Sequence, residues 1–235
     1  MRQIKLGKFP ALEYACKEAV NTLASNITFS GSGHRSIMVT SCHPNEGKSY
    51  IAFHLTNALC AMGYSCVLLD ADMRKSVFFS RYEASVIGEQ VGLSHYLAGK
   101  NTIDDILYKV ENSRLCVVPA GKSVVNSLPL LASVEFSEMM GQLKQYFDFV
   151  IVDAPPIGML VDAAMIASSC DTTLFTTISE RSRRDLIEGI NKIKQSNPNI
   201  LGVVLNKVDM GTQKYKKYYY RSQQYYTYYT YGKEK

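Results

Sequence analysis

The chain has 235 residues, 46% of them hydrophobic, which is enough to bury one large α/β core and too few to favour a second folded domain. Its net charge of +5 lies entirely in residues 212–235, which carry six cations and one anion, so the rest of the chain is neutral. Six scattered cysteines without a Cys-x-x-Cys pair favour reduced thiols in a cytosolic protein. There is no secretory signal, and no apolar run approaches the roughly 18 residues of a membrane span. We therefore expect any membrane association to come through a partner or through the C-terminal tail.

Short apolar runs rich in β-branched residues alternate with helical patterns along the chain. This alternation predicts right-handed βαβ crossovers and an α/β fold with a doubly wound, mostly parallel sheet. In chain order, the pattern predicts a helix at Ala11–Ile27, a strand at Ser36–Ser41, a helix at Lys48–Met62, strands at Cys66–Leu69 and Leu115–Val118, a helix at Ser133–Tyr146, a strand at Phe149–Val152, a helix at Val161–Ser168, a strand at Thr172–Thr177, a helix at Arg183–Gln195 and a strand at Ile200–Leu205.

A phosphate-binding loop follows the first predicted strand. Ser41–Ser49 nearly matches G-x-x-x-x-G-K-[ST], and a helical pattern follows directly. In such a loop, backbone N–H groups and the helix N-terminus cradle the β-phosphate of ATP, Gly47 allows close approach and Lys48 neutralises the β/γ oxygens. The hydroxyl of Ser49 would ligate Mg²⁺. The ATP-binding residues predicted here are Cys42 (at the first glycine position), Pro44, Asn45, Glu46, Gly47, Lys48, Ser49 and Tyr50.

Acidic residues follow two other predicted strands. Asp153 comes directly after Phe149–Val152, at the position where a P-loop enzyme holds its Mg²⁺ directly or through water. Asp70 and Asp72 follow Cys66–Leu69, and two acids at i and i+2 on an extended segment face the same way. One can therefore approach the metal while the other accepts a proton from an incoming hydroxyl. Phosphate chemistry is thus expected at the carboxyl ends of these strands.

The three motifs together resemble the cytoplasmic catalytic domain of bacterial tyrosine kinases, the BY-kinases of capsule and exopolysaccharide synthesis. The family patterns S-x-x-P-x-E-G-K-S, D-x-D-x-R and D-x-P-P are matched in order within Ser41–Ser49, Leu68–Arg74 and Val150–Pro156. Gly92–Gly99 and Gly202–Asp209 also resemble family segments, so the likeness spans nearly the whole chain. It implies a P-loop NTPase of the deviant-Walker, MinD/ParA-like type that acts as an ATP-dependent protein-tyrosine kinase.

The resemblance also implies a role for each candidate site residue, with ATP and Mg²⁺ as cofactors. The implied roles are phosphate binding by Lys48, Mg²⁺ binding by Ser49, Asp72 and Asp153, proton abstraction from a tyrosine hydroxyl by Asp70, neutralisation of the transferring phosphate by Arg74, and contact with adenine by Asn206.

The basic C-terminal segment holds nine of the chain's 16 tyrosines. The expected organisation is an N-terminal helical segment at 1–30 packed on the core, a kinase domain at 31–211 and a flexible tyrosine-rich tail at 212–235. The tail would be phosphorylated by neighbouring kinase subunits. The predicted phosphoacceptors are Tyr215, Tyr218, Tyr219, Tyr220, Tyr225, Tyr226, Tyr228, Tyr229 and Tyr231.

The resemblance further implies protein partners and a location. A separate transmembrane activator, a polysaccharide co-polymerase, would hold the kinase at the inner face of the plasma membrane, and a cognate tyrosine phosphatase would act against it. A basic, tyrosine-rich tail can also bind nucleic acid or an anionic membrane surface, although no nucleic-acid partner is expected here.

The chain departs from the family pattern in three places. The family's E-x-x-R-x-x-R helix, which packs subunits into a ring, aligns with Glu18, Asn21 and Ala24, so both arginines are missing. Ser76 replaces the proline usual after D-x-R-K, and Val124–Ser127 replaces a proline-rich stretch. These departures concern assembly and regulation more than phosphate chemistry.

The alternative function is a switch ATPase of the MinD/ParA type without kinase activity. Those proteins carry a P-loop lysine that acts across a dimer, and His43 occupies its position here. The missing lysine and the tyrosine-rich tail both favour the kinase.

Overall fold

The computed structural model describes residues 1–31, 33–158 and 161–209. The nine predicted phosphoacceptor tyrosines and the predicted tail at 212–235 lie outside the described residues. The strands are β1 (Arg2–Leu6), β2 (Ser36–Ser41), β3 (Cys66–Asp70), β4 (Ala84–Val86), β5 (Tyr108–Val110), β6 (Cys116–Val118), β7 (Phe149–Asp153), β8 (Thr172–Ile178) and β9 (Ile200–Asn206). The helices are α1 (Tyr14–Phe29), α2 (Lys48–Ala61), α3 (Phe78–Arg81), α4 (Leu93–Leu97), α5 (Ile103–Ile106), α6 (Leu128–Leu131), α7 (Val134–Tyr146), α8 (Asp162–Ser168) and α9 (Arg183–Lys194).

The described strands form one sheet in the order β4-β1-β5-β6-β3-β7-β2-β8-β9. From β6 to β9 every neighbouring pair is parallel, whereas β1 with β4 and β5 with β6 are antiparallel. The six predicted strands are the six parallel neighbours at β6-β3-β7-β2-β8-β9, and the five predicted helices are α1, α2, α7, α8 and α9. The predicted mostly parallel α/β sheet is therefore confirmed.

The central strands are buried on both faces. All residues of β2 and β3 are buried, as expected for parallel strands covered by helices on each side. The chain can bury them because their side chains are almost all apolar or small, with Ile37, Met38 and Val39 fully inaccessible to solvent. The carboxyl ends of β2, β3 and β7 then meet at one edge, where the polar side chains of the site are placed.

Short elements at one side of the sheet were not predicted. β1 lies within the region expected to be helical, and it pairs with β4 and β5. Its sequence, RQIKL, places only Ile4 in the core, so it shows no continuous apolar run. β4 and β5 have three residues each, too few for an alternation pattern to be recognised. The boundaries of the predicted helix at 11–27 also shift, since α1 spans Tyr14–Phe29.

α1 packs on α2, and its buried face includes a position of the expected ring motif. Ala24 is fully buried, whereas Glu18 is exposed and Asn21 is half-buried. The missing second arginine thus corresponds to a core position in this chain. In the part of the chain that the structure describes, no helix combines the length and apolar character needed to cross a membrane.

Restoring the second arginine of that motif should disrupt the core. Ala24→Arg adds volume and an unpaired charge at a position that is 0% exposed, so we expect a loss of about 3 kcal/mol or more in the free energy of unfolding. Asn26→Arg, at an exposed position of α1, should change it by less than about 0.5 kcal/mol. Urea denaturation of both variants measures the difference, and equal stabilities would contradict the burial of Ala24.

Candidate active site

The phosphate-binding loop connects β2 to the first turn of α2. Gly47, at the N-cap of α2, has φ 92°, in the left-handed region that favours glycine. A Cβ there would lie 1.9 Å from Nδ2 of Asn206, so the position also lacks space for a side chain. Asn45 adopts φ 64°, a conformation that asparagine tolerates better than most residues. The loop therefore brings bare backbone to the N-terminus of a 14-residue helix, a favourable place for a phosphate.

Two side chains at the carboxyl end of β9 donate hydrogen bonds to the backbone of this loop. Nδ2 of Asn206 donates to the carbonyl oxygen of Glu46 at 3.0 Å, and Nζ of Lys207 donates to the carbonyl oxygen of Asn45 at 2.7 Å. Asn206 thus lies against the phosphate loop, and its contact with adenine stays a prediction.

The segment just before α9 fixes the other side of the loop. The carboxylate of Glu46 is fully buried, pairs with Nε of Arg181 at 3.2 Å and accepts the N–H of His43 at 2.9 Å. Because an unpaired buried carboxylate would be costly, Arg181 is needed for Glu46 to lie inside the loop.

Cys42 packs against α9 itself. Its thiol donates to the carbonyl oxygen of Asp185 at 3.3 Å, and a Cβ on Gly189 would lie 2.4 Å from its sulfur. Burial raises the pKa of the Cys42 thiol to about 11, so it remains protonated. The side chains of Cys42 and Glu46 both pack within and beside the loop, so the ATP contacts predicted for these two residues stay a prediction for their backbone groups.

Three carboxylates surround Lys48 at the ends of β3 and β7. The parallel register of these strands sets Asp70 directly opposite Asp153. Nζ of Lys48 lies 3.3 Å from Oδ2 of Asp72 and 3.7 Å from Oδ1 of Asp153. β3 ends at Asp70, and just beyond it the N–H of Asp72 donates to Oδ1 of Asp70 at 3.2 Å. The structure therefore brings all three predicted acids to one lysine.

The charges in this cluster shift each other's pKa. Burial, followed by the charge of Asp153, raises the pKa of Asp70 to about 7. Burial also raises the pKa of Asp153, although Lys48 opposes the effect. Burial alone would lower the pKa of Lys48, but the charges of Asp153, Asp72 and Asp70 outweigh it and the net pKa is raised. The cluster therefore has one ammonium group for three closely spaced carboxylates. Because its negative charges are only partly neutralised, it favours the binding of an additional cation.

The donors present fit Mg²⁺ that arrives with a nucleotide. Oδ1 of Asp153 is buried and has no hydrogen-bond partner, and the hydroxyl of Ser49 contacts the same carboxylate. Among residues 1–31, 33–158 and 161–209, no three His, Cys, Asp or Glu side chains converge into a metal site of their own. Mg²⁺ keeps several waters and is bound through one or two carboxylates and substrate phosphates, so Asp153, Asp72 and Ser49 are donors of the kind it uses.

Arg74 reaches the site but its guanidinium is bound elsewhere. Nε and Nη2 form a bidentate pair with the buried carboxylate of Asp162, at 2.8 and 3.2 Å. Nη1 donates to the carbonyl oxygen of Val125 at 2.6 Å, and Ser127 donates to the same Asp162 carboxylate. Arg74 therefore connects the loop after Asp72 to α8 and to residues 123–127, and its role at the transferring phosphate stays a prediction.

A cavity of about 800 Å³ opens over the loop, a size suited to a nucleotide. Asp70 and Asp153 are buried, at 3% and 7% exposure, and are not among the residues that line the cavity. The predicted residues that line the cavity are Pro44, Asn45, Gly47, Lys48, Ser49, Tyr50, Asp72, Arg74 and Asn206. The lining residues that the sequence did not single out are Lys75, Val77, Arg81, Pro156 and Lys207.

Comparison with known proteins identifies similar chains and folds. Residues 35–202 match the family model described as AAA domain. Tyrosine-protein kinase CpsD of Streptococcus agalactiae is 37% identical over 203 residues, which are 86% of this chain and 88% of that protein. The crystal structure of the chimerical protein CapA2B2 has a TM-score of 0.78 and 28% identity, over 88% of this chain and 94% of that one.

A more distant likeness supports the fold alone. The septum site-determining protein MinD of Pyrococcus horikoshii OT3, solved with Mg-ADP, has a TM-score of 0.59 and 22% identity, over 73% of this chain and 69% of that one. The predicted P-loop NTPase fold of the MinD/ParA-like type is confirmed.

A side chain at Gly47 should weaken nucleotide binding. Gly47→Ala imposes an unfavourable φ and a clash with Asn206, so we expect the Kd for a fluorescent Mg·ATP analogue to rise by about tenfold or more. Gly141→Ala is the matched control, because a Cβ there has no neighbour within 4 Å. Unchanged affinity of Gly47→Ala would show that the loop does not need its backbone exposed.

The crowded carboxylates should make stability depend on pH. Because the pKa of Asp70 rises from 3.8 to about 7 on folding, the folded state holds this proton more tightly, and stability falls as pH rises through that range. In Mg²⁺-free buffer, Asp70→Asn should match the wild type near pH 4 and exceed it by at least about 1 kcal/mol at pH 8. Exposed Glu138→Gln should show no such trend. A pH-independent difference in urea denaturation would contradict the electrostatic explanation.

Proposed function

Because this chain belongs to the family of bacterial tyrosine-protein kinases, we propose that it transfers the γ-phosphate of ATP to tyrosine hydroxyl groups. The observation that carries the proposal is the Lys48 cluster, in which one ammonium group and three acids lie at the start of α2. Phosphoryl transfer requires mainly positioning and charge stabilisation, and this arrangement provides both.

Some residues of the site bind the phosphates and the metal ion, and another accepts the proton of the tyrosine. The loop N–H groups and Lys48 bind the β- and γ-phosphates, and Ser49, Asp72 and Asp153 would hold Mg²⁺. Bound Mg²⁺ would neutralise charge on the β- and γ-oxygens. The tyrosine oxygen attacks the γ-phosphorus as the bond to the β–γ bridging oxygen breaks, the tyrosine proton passes to Asp70, and ADP leaves.

Asp70 is the side chain best suited to take that proton. Lys48 lies closer to Asp72 and Asp153 than to Asp70, which has no ion pair among the described residues. Its raised pKa, about 7, also makes it a stronger base than an ordinary carboxylate near neutral pH. Arg74 is a positioning residue in this scheme, because Asp162 and Val125 engage its guanidinium.

The proposed substrate is the tyrosine cluster at 215–231, presented by a neighbouring subunit. The segment 212–235 carries all of the chain's net charge, and each phosphate would add about −1.5 to −2 at neutral pH. About three phosphates would therefore cancel the +5. An assembly that depends on basic tails would be weakened by its own reaction.

The proposed setting is the inner face of the plasma membrane, where the kinase regulates capsular or exopolysaccharide synthesis and export. A separate transmembrane activator would bring it there and stimulate it, and a cognate tyrosine phosphatase would reset it. The likeness to Tyrosine-protein kinase CpsD supports the kinase activity on which this setting rests. No nucleic-acid partner is proposed.

The switch ATPase remains the second candidate, and one contact weighs against it. Nε2 of His43 lies 3.4 Å from Oδ2 of Asp185 in the same chain. Nε2 is buried and makes no hydrogen bond within the described residues, so the side chain at the position of the switch lysine points into its own subunit instead of being presented to a partner.

Intact mass after incubation with Mg·ATP tests the kinase. The wild type should gain phosphates stepwise, mapped to Tyr215–Tyr231, whereas Asp70→Asn and a chain ending at Gly211 should gain none. ATP hydrolysis without any gain in mass, even with a candidate activator segment added, would favour the switch ATPase.

Transfer between subunits has a separate test. Lys48→Met, which keeps its tail, is mixed with an active chain that ends at Gly211. Phosphate should appear on the tail of Lys48→Met only in the mixture, because the acceptor and the active site come from different chains. An unmodified Lys48→Met tail in an active mixture would restrict the reaction to one subunit.

A further inference from the structure

Asp70 has a partner that no phosphate motif includes. The hydroxyl of Ser76 donates to Oδ2 of Asp70 at 2.5 Å, six residues along the chain. Asp70 is 3% exposed, whereas Ser76 is exposed, so this hydroxyl links a buried carboxylate to the surface of the site. A hydrogen bond to a charged acceptor is about twice as strong as a neutral one, so the contact can fix the carboxylate's orientation.

Ser76 is itself held by the start of α3. The N–H of Phe78 donates to Oγ of Ser76 at 3.4 Å, which leaves the serine's own proton for Asp70. Phe78 is buried and contacts Tyr82 at 5.1 Å between ring centroids, and Tyr82 stacks on Phe53 of α2 at 4.1 Å. The hydroxyl is therefore anchored, through an aromatic cluster, to the helix that carries the phosphate loop.

The second oxygen of the carboxylate is fixed as well. Oδ1 of Asp70 accepts the N–H of Asp72 at 3.2 Å. Two donors, one on each oxygen, set the rotation of the carboxyl plane about its Cβ–Cγ bond. The lone pairs that remain can then face an incoming hydroxyl in one orientation only.

We propose that Ser76 is a positioning residue that orients the general base Asp70 toward the acceptor hydroxyl. The inference rests on the proposed function. Ser76 touches neither phosphate nor tyrosine in this scheme, and it acts only through Asp70. Removal of the Ser76 hydroxyl should lower kcat and leave the Kd for Mg·ATP unchanged, because Ser76 bonds to Asp70 and not to Asp72 or Asp153, the two acids that pair with Lys48.

A matched pair of variants isolates the hydroxyl. Threonine and valine have nearly the same shape, so Ser76→Thr keeps the donor and Ser76→Val removes it. We expect Ser76→Val to lower kcat for tyrosine phosphorylation by about 10- to 100-fold with Kd for Mg·ATP unchanged, since misorienting a catalytic group costs up to about 100-fold. Ser76→Thr should retain most of the activity. Ser80→Ala, an exposed serine of α3 whose hydroxyl contacts only the carbonyl oxygen of Val77, should behave as wild type.

A double-mutant cycle separates positioning from a general structural role. In the Asp70→Asn background, Ser76→Val should cause no further loss of kcat, because the group it orients is gone. Equal activities of Ser76→Thr and Ser76→Val, or additive losses in the double variant, would overturn the proposal.

ADP release is measured alongside phosphotyrosine, so that the two proposals fail in different ways. If the wild type hydrolyses ATP without modifying tyrosine, the kinase proposal fails. The Ser76→Val effect is then read from hydrolysis, where Asp70 would face water, and its absence there overturns the positioning role. A wild type that does neither overturns both.

Discussion

The parallel register between β3 and β7 is the constraint on which the site depends. The register places Asp70 opposite Asp153 and buries both. Because the two carboxylates carry like charges, they repel each other at this distance. Lys48 offsets part of this repulsion from the first turn of α2, at 3.3 Å from Asp72 and 3.7 Å from Asp153. The fold thus maintains an excess of negative charge that binding of a metal–nucleotide complex relieves, and stability in the free protein is exchanged for affinity in the site.

The surrounding contacts hold the phosphate loop between two elements that come late in the chain. The carboxyl end of β9 fixes the loop through Asn206 and the next residue, Lys207, and the segment before α9 fixes it through Arg181, which pairs with the buried Glu46. None of these side chains needs to touch the reacting atoms. Their effect is to keep backbone N–H groups in place before the nucleotide arrives, which is the kind of preorganisation that phosphoryl transfer requires.

Sequence patterns predicted the parts of the fold that are governed by local chemistry. Continuous apolar runs identified the six parallel strands, and a strand–loop–helix order around Gly47 identified the phosphate loop. The partners of Ser76, Arg74 and Glu46 were not predictable, because the contacts of Arg74 and Glu46 join residues 88 and 135 positions apart and that of Ser76 depends on how one turn closes. Three-residue strands such as β5 were not predicted because they are too short to show an alternation of apolar and polar residues.

The most direct measurement is the ratio of phosphotyrosine formed to ADP released in a rapid-quench experiment with the full chain. If Asp70 accepts the proton of a tyrosine hydroxyl, the ratio of phosphotyrosine to ADP should begin near one. It should fall only as the acceptor tyrosines are used up. ADP that accumulates from the first time point without phosphotyrosine would contradict the kinase and identify water as the acceptor.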